Sequence, residues 1–239
     1  MTVDAVIFDW GGTLTDPVLA VLELVDLWRV AAEHLAPGDE VRQERLTTAL
    51  IDAEARSWQR ITETQQSATL AQVMAEGSRA LGLDVAEAVM EEAALRHLDA
   101  WTPHIHHDPD AVNVLEALKA RGLRIGLLSN THWPRSFHEH FLERDGLAGY
   151  IDARLYSSEL SHTKPHPSAF ERALEAVGVD TPGRAVFVGD RLYDDIFGAS
   201  RVGLRTVHRP SGTVPAYDVV PDAVITALPD LLEVIDTWS

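Results

Sequence analysis

The alternation of apolar and polar positions divides this chain into three stretches with different periods. At the start, Ala5-Val6-Ile7-Phe8 is an unbroken apolar run that ends on Asp9, and Trp10-Gly11-Gly12-Thr13-Leu14-Thr15-Asp16 follows at once. A short apolar run closed by glycines predicts a strand of a parallel sheet, buried on both faces. From 17 to 103 the period changes. Val18, Leu19, Leu22, Val25, Leu27, Trp28 and Ala31 recur at helical spacing, and Pro17 suits a first helical turn, where a missing N–H costs nothing. Further helices are predicted over 39–61, 63–81 and 85–100, with Gly38, Gly77 and Gly82 near the breaks, although Gly77 also fits inside a helix. The alanine-, leucine- and glutamate-rich usage favours helix, and the length suits a small antiparallel bundle.

Beyond the proline-stiffened linker Pro103-His104-Ile105-His106-His107-Asp108-Pro109 the pattern alternates. Helices are predicted over 109–121, 134–144, 167–177 and 194–201, and from Pro229 onward; strands over 123–129, 153–156, 185–190, 204–208 and 223–225. Strands that alternate with helices predict a parallel sheet covered on both faces. The opening strand has no neighbour in sequence to pair with, so it joins this later sheet. The expected architecture is therefore α/β: a doubly wound parallel-sheet core of residues 1–16 and 104–239, with an all-α helical domain inserted at 17–103.

Composition narrows the function. The chain has 239 residues, 46% hydrophobic and 24% charged, enough for a substantial core. A formal net charge of −17 argues against nucleic acid and anionic membranes, while local acidic clusters suit a divalent cation. The absence of cysteine excludes disulfides, thiolate nucleophiles and cysteine–zinc sites. The start lacks a basic-flanked apolar leader, and no stretch of about 20 apolar residues occurs, so a cytoplasmic protein is expected. Of the 20 basic residues only Lys119 and Lys164 are lysine. A chain so biased to arginine keeps a lysine where a compact ammonium matters; for Lys119 compositional accident is the preferred account.

Candidate chemistry collects at the predicted strand ends: Asp9, Ser129, Lys164 and the group Asp190, Asp194, Asp195. Ligands of open α/β sheets bind just beyond the carboxyl ends of strands, which makes Asp9 the candidate nucleophile. Gly11 and Gly12 let the backbone come close to a bound anion. Ser129 and the N–H groups after it can hold a phosphoryl oxygen, although a serine there also serves as a loop or capping residue. Lys164, in a loop stiffened by Pro165 and Pro167, can neutralise nucleophile and phosphoryl group together. Asp9 and Asp190 at one sheet edge would repel unless a cation sits between them, and oxygen ligands suit Mg²⁺. Asp194 reads as a residue favourable to the helix dipole.

The stretches Phe8-Asp9-Trp10-Gly11-Gly12-Thr13-Leu14, Leu127-Leu128-Ser129-Asn130, Lys164-Pro165-His166-Pro167 and Gly189-Asp190-Arg191-Leu192-Tyr193-Asp194-Asp195-Ile196 resemble, in that order, the haloacid dehalogenase superfamily. The resemblance covers the whole core, with the insertion where one branch of that family carries a helical cap. It implies a Rossmann-like fold and hydrolysis of a small phosphorylated metabolite through an aspartyl-phosphate on Asp9. It implies catalytic roles for Asp9, Ser129 and Lys164, and a phosphate pocket that includes Trp10, Gly12, Thr13 and Asn130. Mg²⁺ would be held by Asp9, the Gly11 carbonyl and Asp190, with Asp195 next to it or behind. Thr13 is expected to order the loop by hydrogen bonding, and Asp16 to act as a hinge or capping residue.

One position departs from the family's phosphatases: Gly11 stands where they carry a second aspartate as general acid and base. The loss of such a group costs about 10²–10⁴ in rate. Three accounts compete. The substrate has a leaving group that needs little help; a hinge histidine (His104, His106 or His107) supplies the proton; or the fold survives as a phosphate-binding module. For the histidines a solvated linker is the plainer reading. Phosphonate cleavage through a cap lysine is disfavoured, because no lysine lies between Pro17 and Pro103. A metal-independent 2-haloacid dehalogenase is the runner-up, set back by the Asp190 and Asp195 pattern. Trp28, Trp58 and Trp101 are candidates to line a substrate pocket, with bundle core the preferred reading for Trp28 and Trp58 at their spacing.

Overall fold

The computed structural model describes residues 2–15, 24–212 and 214–238. The expectations placed on Asp16, Pro17, Val18, Leu19 and Leu22 lie outside them. Six parallel strands form one sheet in the order β3-β2-β1-β4-β5-β6. These are β1 (Ala5–Phe8), β2 (Arg124–Ser129), β3 (Ala153–Tyr156), β4 (Ala185–Gly189), β5 (Arg205–His208) and β6 (Ala223–Val224). The opening strand is central, with Phe8 level with Leu127 on one side and Val188 on the other. All four of its residues are buried, as an apolar run without alternation requires.

Alternate residues of β1 feed two separate cores. Val6 and Phe8 pack with the helices α5 (Ala111–Ala120), α6 (Arg135–Arg144) and α9 (Asp230–Trp238), whereas Ala5 and Ile7 pack with α7 (Pro167–Ala176) and the short α8 (Gly198–Arg201). The sheet is thus covered on both faces, as expected.

Among the described residues, four α-helices lie between β1 and α5: α1 (Leu24–Leu35), α2 (Glu40–Thr64), α3 (Leu70–Ala80) and α4 (Glu87–Trp101). Gly77 lies inside α3, where the Leu50 backbone of α2 passes too close for a side chain. One boundary differs from the expectation of a helix over 63–81. The α2 helix runs on to Thr64, Gln65 turns left-handed at φ +56°, and α3 begins only after Thr69, whose side chain forms a reciprocal capping box with Gln72. The intervening 65–69 segment pairs with the α/β half instead: Thr163 N–H donates to the Gln65 carbonyl at 2.9 Å and Ser67 N–H to the Ser161 carbonyl at 3.1 Å.

The apolar core is continuous between the two halves. Rings run in contact from Trp10 to Trp133, Trp101, His97 and Trp28. Trp28 is fully buried and stacked on His97, with its indole N–H donated to Glu54. Trp58 corrects the sequence expectation. It is 37% exposed and lies against His132 rather than in the bundle core. Lys119 makes a surface ion pair with Asp152, in keeping with a structural role.

Three buried histidines tie stability to pH. Burial pushes His97 and His132 down to about 4 and His138 down to about 3. They are neutral in the fold but take up protons once unfolded, so stability is complete above about pH 6.5 and falls as pH drops toward 4. Each contributes up to about 1.4 kcal/mol per pH unit. By urea unfolding at pH 7.5 and 5.0, His138→Phe and His97→Gln are each expected to lose less stability on acidification than the parent, by about 1–2 kcal/mol. A variant with the same pH dependence as the parent would rule it out.

Candidate active site

Parallel strands in register bring their carboxyl ends to one edge, and the residue after each end faces the same space. Asp9 leaves β1 there, Ser129 closes β2 and Asp190 follows β4; all three are buried. Lys164 arrives from the loop beyond β3. Its backbone is clasped by the Asn130 amide, which accepts from Lys164 N–H and donates to the Lys164 carbonyl, both at 2.9 Å.

That clasp aims the ammonium inward. Lys164 Nζ donates to Asp9 Oδ1 at 2.5 Å and to Asp195 Oδ1 at 2.7 Å, with all three side chains buried. Asp195 is fixed on its other oxygen by the Arg191 N–H at 2.9 Å. The glycines make room. A Cβ at Gly189 would overlap the Asp195 side chain, and one at Gly12, where φ is +82°, would overlap Asp190 and Ser211. Gly11 is different: it is exposed, and a Cβ there meets nothing within 4 Å.

Three carboxylates share one buried ammonium, so negative charge is in excess. Burial pushes Asp9 up to about 7; Lys164 counters this, and Asp195 and Asp190 reinforce it. Asp190 is raised by burial and then by Asp195, and Asp194 is raised to about 6 in the same way. Burial opposes the charge on Lys164, but Asp195 and Asp9 override it and hold the ammonium above its ordinary value. Asp9, Asp190 and Asp195 offer oxygens that all lie within 4.8 Å of one another. Asp190 Oδ1 is buried without a hydrogen-bond partner. An all-oxygen donor set with surplus negative charge and an unused buried oxygen fits a hard divalent cation.

Other predicted site residues take more varied places. Trp10 is buried among His107, Trp133, His138 and Phe141. The expectation that Thr13 orders the loop is corrected. Its hydroxyl is buried without a partner, and Thr15 does that work by donating to the Trp10 carbonyl at 3.1 Å. Asp194 lies in the first helical turn after β4, 3.7 Å from the Arg191 guanidinium. Among the hinge histidines, both ring nitrogens of His107 are engaged, by Trp10 and Asp145.

Sequence reasoning missed the loop after β5. His208 donates from Nε2 to the Asp190 carbonyl at 2.9 Å, Ser211 donates to Asp190 Oδ2, and Arg209 bridges the Thr13 carbonyl and Asp108. The signal was present, since these polar residues follow a strand that ends at the same sheet edge. Among the described residues, no helix is long and apolar enough to cross a membrane.

A family model described as haloacid dehalogenase-like hydrolase matches residues 3–203. Glyceraldehyde 3-phosphate phosphatase of Pyrococcus furiosus is 36% identical over 137 residues, and the match spans only 56% of this chain and 56% of that relative. Phosphoglycolate phosphatase of Shigella dysenteriae is 27% identical over 95% of this chain and 90% of its own length. Among solved structures, a 2-haloacid dehalogenase from Pseudomonas syringae superposes with a TM-score of 0.74 at 28% identity, over 100% of both chains.

Lys164→Met is expected to cost about 3–5 kcal/mol at pH 8, because it leaves Asp9 and Asp195 buried without a counterion. The deficit should shrink at pH 5, where Asp9 takes up a proton. Urea unfolding measures both, and a variant as stable as the parent at pH 8 would contradict the arrangement.

Proposed function

Because the chain belongs to the haloacid dehalogenase-like hydrolase family, we propose that it hydrolyses phosphate esters or anhydrides of a small metabolite through an aspartyl-phosphate on Asp9. The observation that carries this reading is the contact of Lys164 Nζ with Asp9 Oδ1, at 2.5 Å, inside a cluster of carboxylates with oxygen to spare. The names of the relatives, glyceraldehyde 3-phosphate and phosphoglycolate phosphatase, point to a small phosphorylated metabolite.

The ionised Asp9 carboxylate attacks phosphorus, the bond to the leaving oxygen breaks, and water later opens the acyl phosphate. Lys164 offsets charge on the nucleophile, and Ser129 with the N–H groups after it holds a phosphoryl oxygen. Asp9, Asp190 and the Gly11 carbonyl would hold Mg²⁺, with Asp195 behind, committed to Lys164 and Arg191 N–H. Bound there, the cation would lower the repulsion among the carboxylates and draw charge from the phosphoryl oxygens. Asn130 acts on Lys164 rather than on phosphate directly. The four inserted helices serve as a cap that excludes water.

Gly11 cannot protonate a leaving group, and His107, with both nitrogens engaged, is unsuited to replace it. Leaving groups that depart as stable anions, such as acyl or aryl phosphates, are therefore favoured. The Pseudomonas syringae neighbour and the glycine at 11 favour a second reading, a hydrolytic dehalogenase that attacks carbon. The unpartnered Asp190 oxygen counts against it, since such attack needs no divalent ion.

A panel of acetyl phosphate, p-nitrophenyl phosphate, an alkyl phosphate and 2-chloropropionate, with Mg²⁺ or chelator, separates the two. Turnover of the activated phosphates only with Mg²⁺, abolished by Asp9→Asn, is expected; chloride release indifferent to chelator would instead establish the dehalogenase. Gly11→Asp enters open space and is expected to raise alkyl-phosphate kcat by about 10² or more, with stability unchanged. An unchanged rate would mean that more than a proton donor is missing.

A further inference from the structure

Trp10 directly follows the nucleophile, and its indole is held by a residue far away in sequence. Trp10 Nε1 donates to His107 Nε2 at 3.0 Å, and His107 Nδ1 lies 2.7 Å from Asp145 Oδ2. An indole N–H can only donate, so Nε2 of His107 carries no proton, and the single ring proton sits on Nδ1 and points at Asp145. The His107 side chain is 3% exposed. Asp145 is kept ionised, down to about 2, by the adjacent Arg144 guanidinium and by His107 itself. Three segments therefore meet at one imidazole: the nucleophile loop, the linker after the inserted helices and the end of α6.

We propose that His107 is a positioning residue for the nucleophile: it fixes the Trp10 end of the Asp9 loop by accepting the indole N–H, while Asp145 sets its tautomer. This rests on the assignment of Asp9 as nucleophile. The backbone supports the same link, since Thr15 bridges to His107 and Asp108 N–H donates to the Leu14 carbonyl at 2.8 Å. His138 and Trp133 meet the indole ring edge-on, at 4.6 and 6.4 Å, and leave its N–H as the one polar point of attachment. A nucleophile displaced by about 1 Å loses on the order of 10² in rate, so a loop anchor next to Asp9 acts on kcat without touching substrate.

The test uses His107→Ala, His107→Gln, Trp10→Phe and the double variant Trp10→Phe/His107→Ala. His107→Ala is expected to lower kcat 10- to 100-fold with KM within two-fold. His107→Gln, whose side-chain carbonyl can accept the indole N–H, should recover most of that loss. Trp10→Phe should fall to the level of His107→Ala, and the double variant no lower. The Trp10 indole N–H resonance, identified by its loss in Trp10→Phe, should shift upfield in His107→Ala and return toward its place in His107→Gln. A loss that appears only in KM, additive effects in the double variant, or glutamine no better than alanine would overturn the inference. The indole readout needs no turnover, so it survives failure of the phosphatase reading; a resonance that stays put in His107→Ala overturns the role of His107 by itself.

Discussion

The structure turns on one buried ammonium. Lys164 lies between Asp9 and Asp195, and neither carboxylate has another cationic side chain within hydrogen-bonding distance among the described residues. Charges this deep are tolerated only when paired and hydrogen-bonded. Much of the surrounding chain serves that pairing. Asn130 holds the lysine backbone, Arg191 N–H takes the second oxygen of Asp195, and Gly189 clears the space in which Asp195 approaches the strand. The pairing remains incomplete, because one positive charge faces several carboxylates, and such a deficit suits a divalent cation.

The same edge also collects groups whose bonds go to other residues of the site. His208, Arg209 and Ser211 hold Asp190 and the Thr13 carbonyl from the far side, while Trp10 and His107 hold the nucleophile loop from the near side. A carboxylate that must meet phosphorus in line needs its backbone fixed, and the fixing comes from several segments distant in sequence.

The sheet was legible because its strands are short apolar runs punctuated by glycine and aspartate, and the chemistry was legible because reactive groups sit at strand ends. Asp9, Lys164 and Asp190 were found this way and do converge, and Ser129 is buried at the end of β2. Local pattern cannot show which neighbour claims a side chain. Thr13 and Thr15 look alike in sequence, yet of their two hydroxyls only that of Thr15 reaches the Trp10 carbonyl. Nor does local pattern show that the Asn130 amide bonds to the Lys164 backbone. Trp58 sits at helical spacing, but its face of α2 opens toward His132 instead of the bundle. The late start of the third inserted helix was signalled by Thr69 and Gln72, a capping pair that the apolar period overrode.

That late start has a consequence for modularity. The five residues it frees lend backbone partners to the loop that carries Lys164, through Gln65 to Thr163 and Ser67 to Ser161, and Leu70 N–H reaches the His132 carbonyl at 2.7 Å. Swapping the insertion for that of another protein would therefore remove part of the scaffold beneath the lysine along with the cover above it. A chimera that respects the linker boundaries but ignores this short ladder would inherit a new lid and lose the footing of its own ammonium.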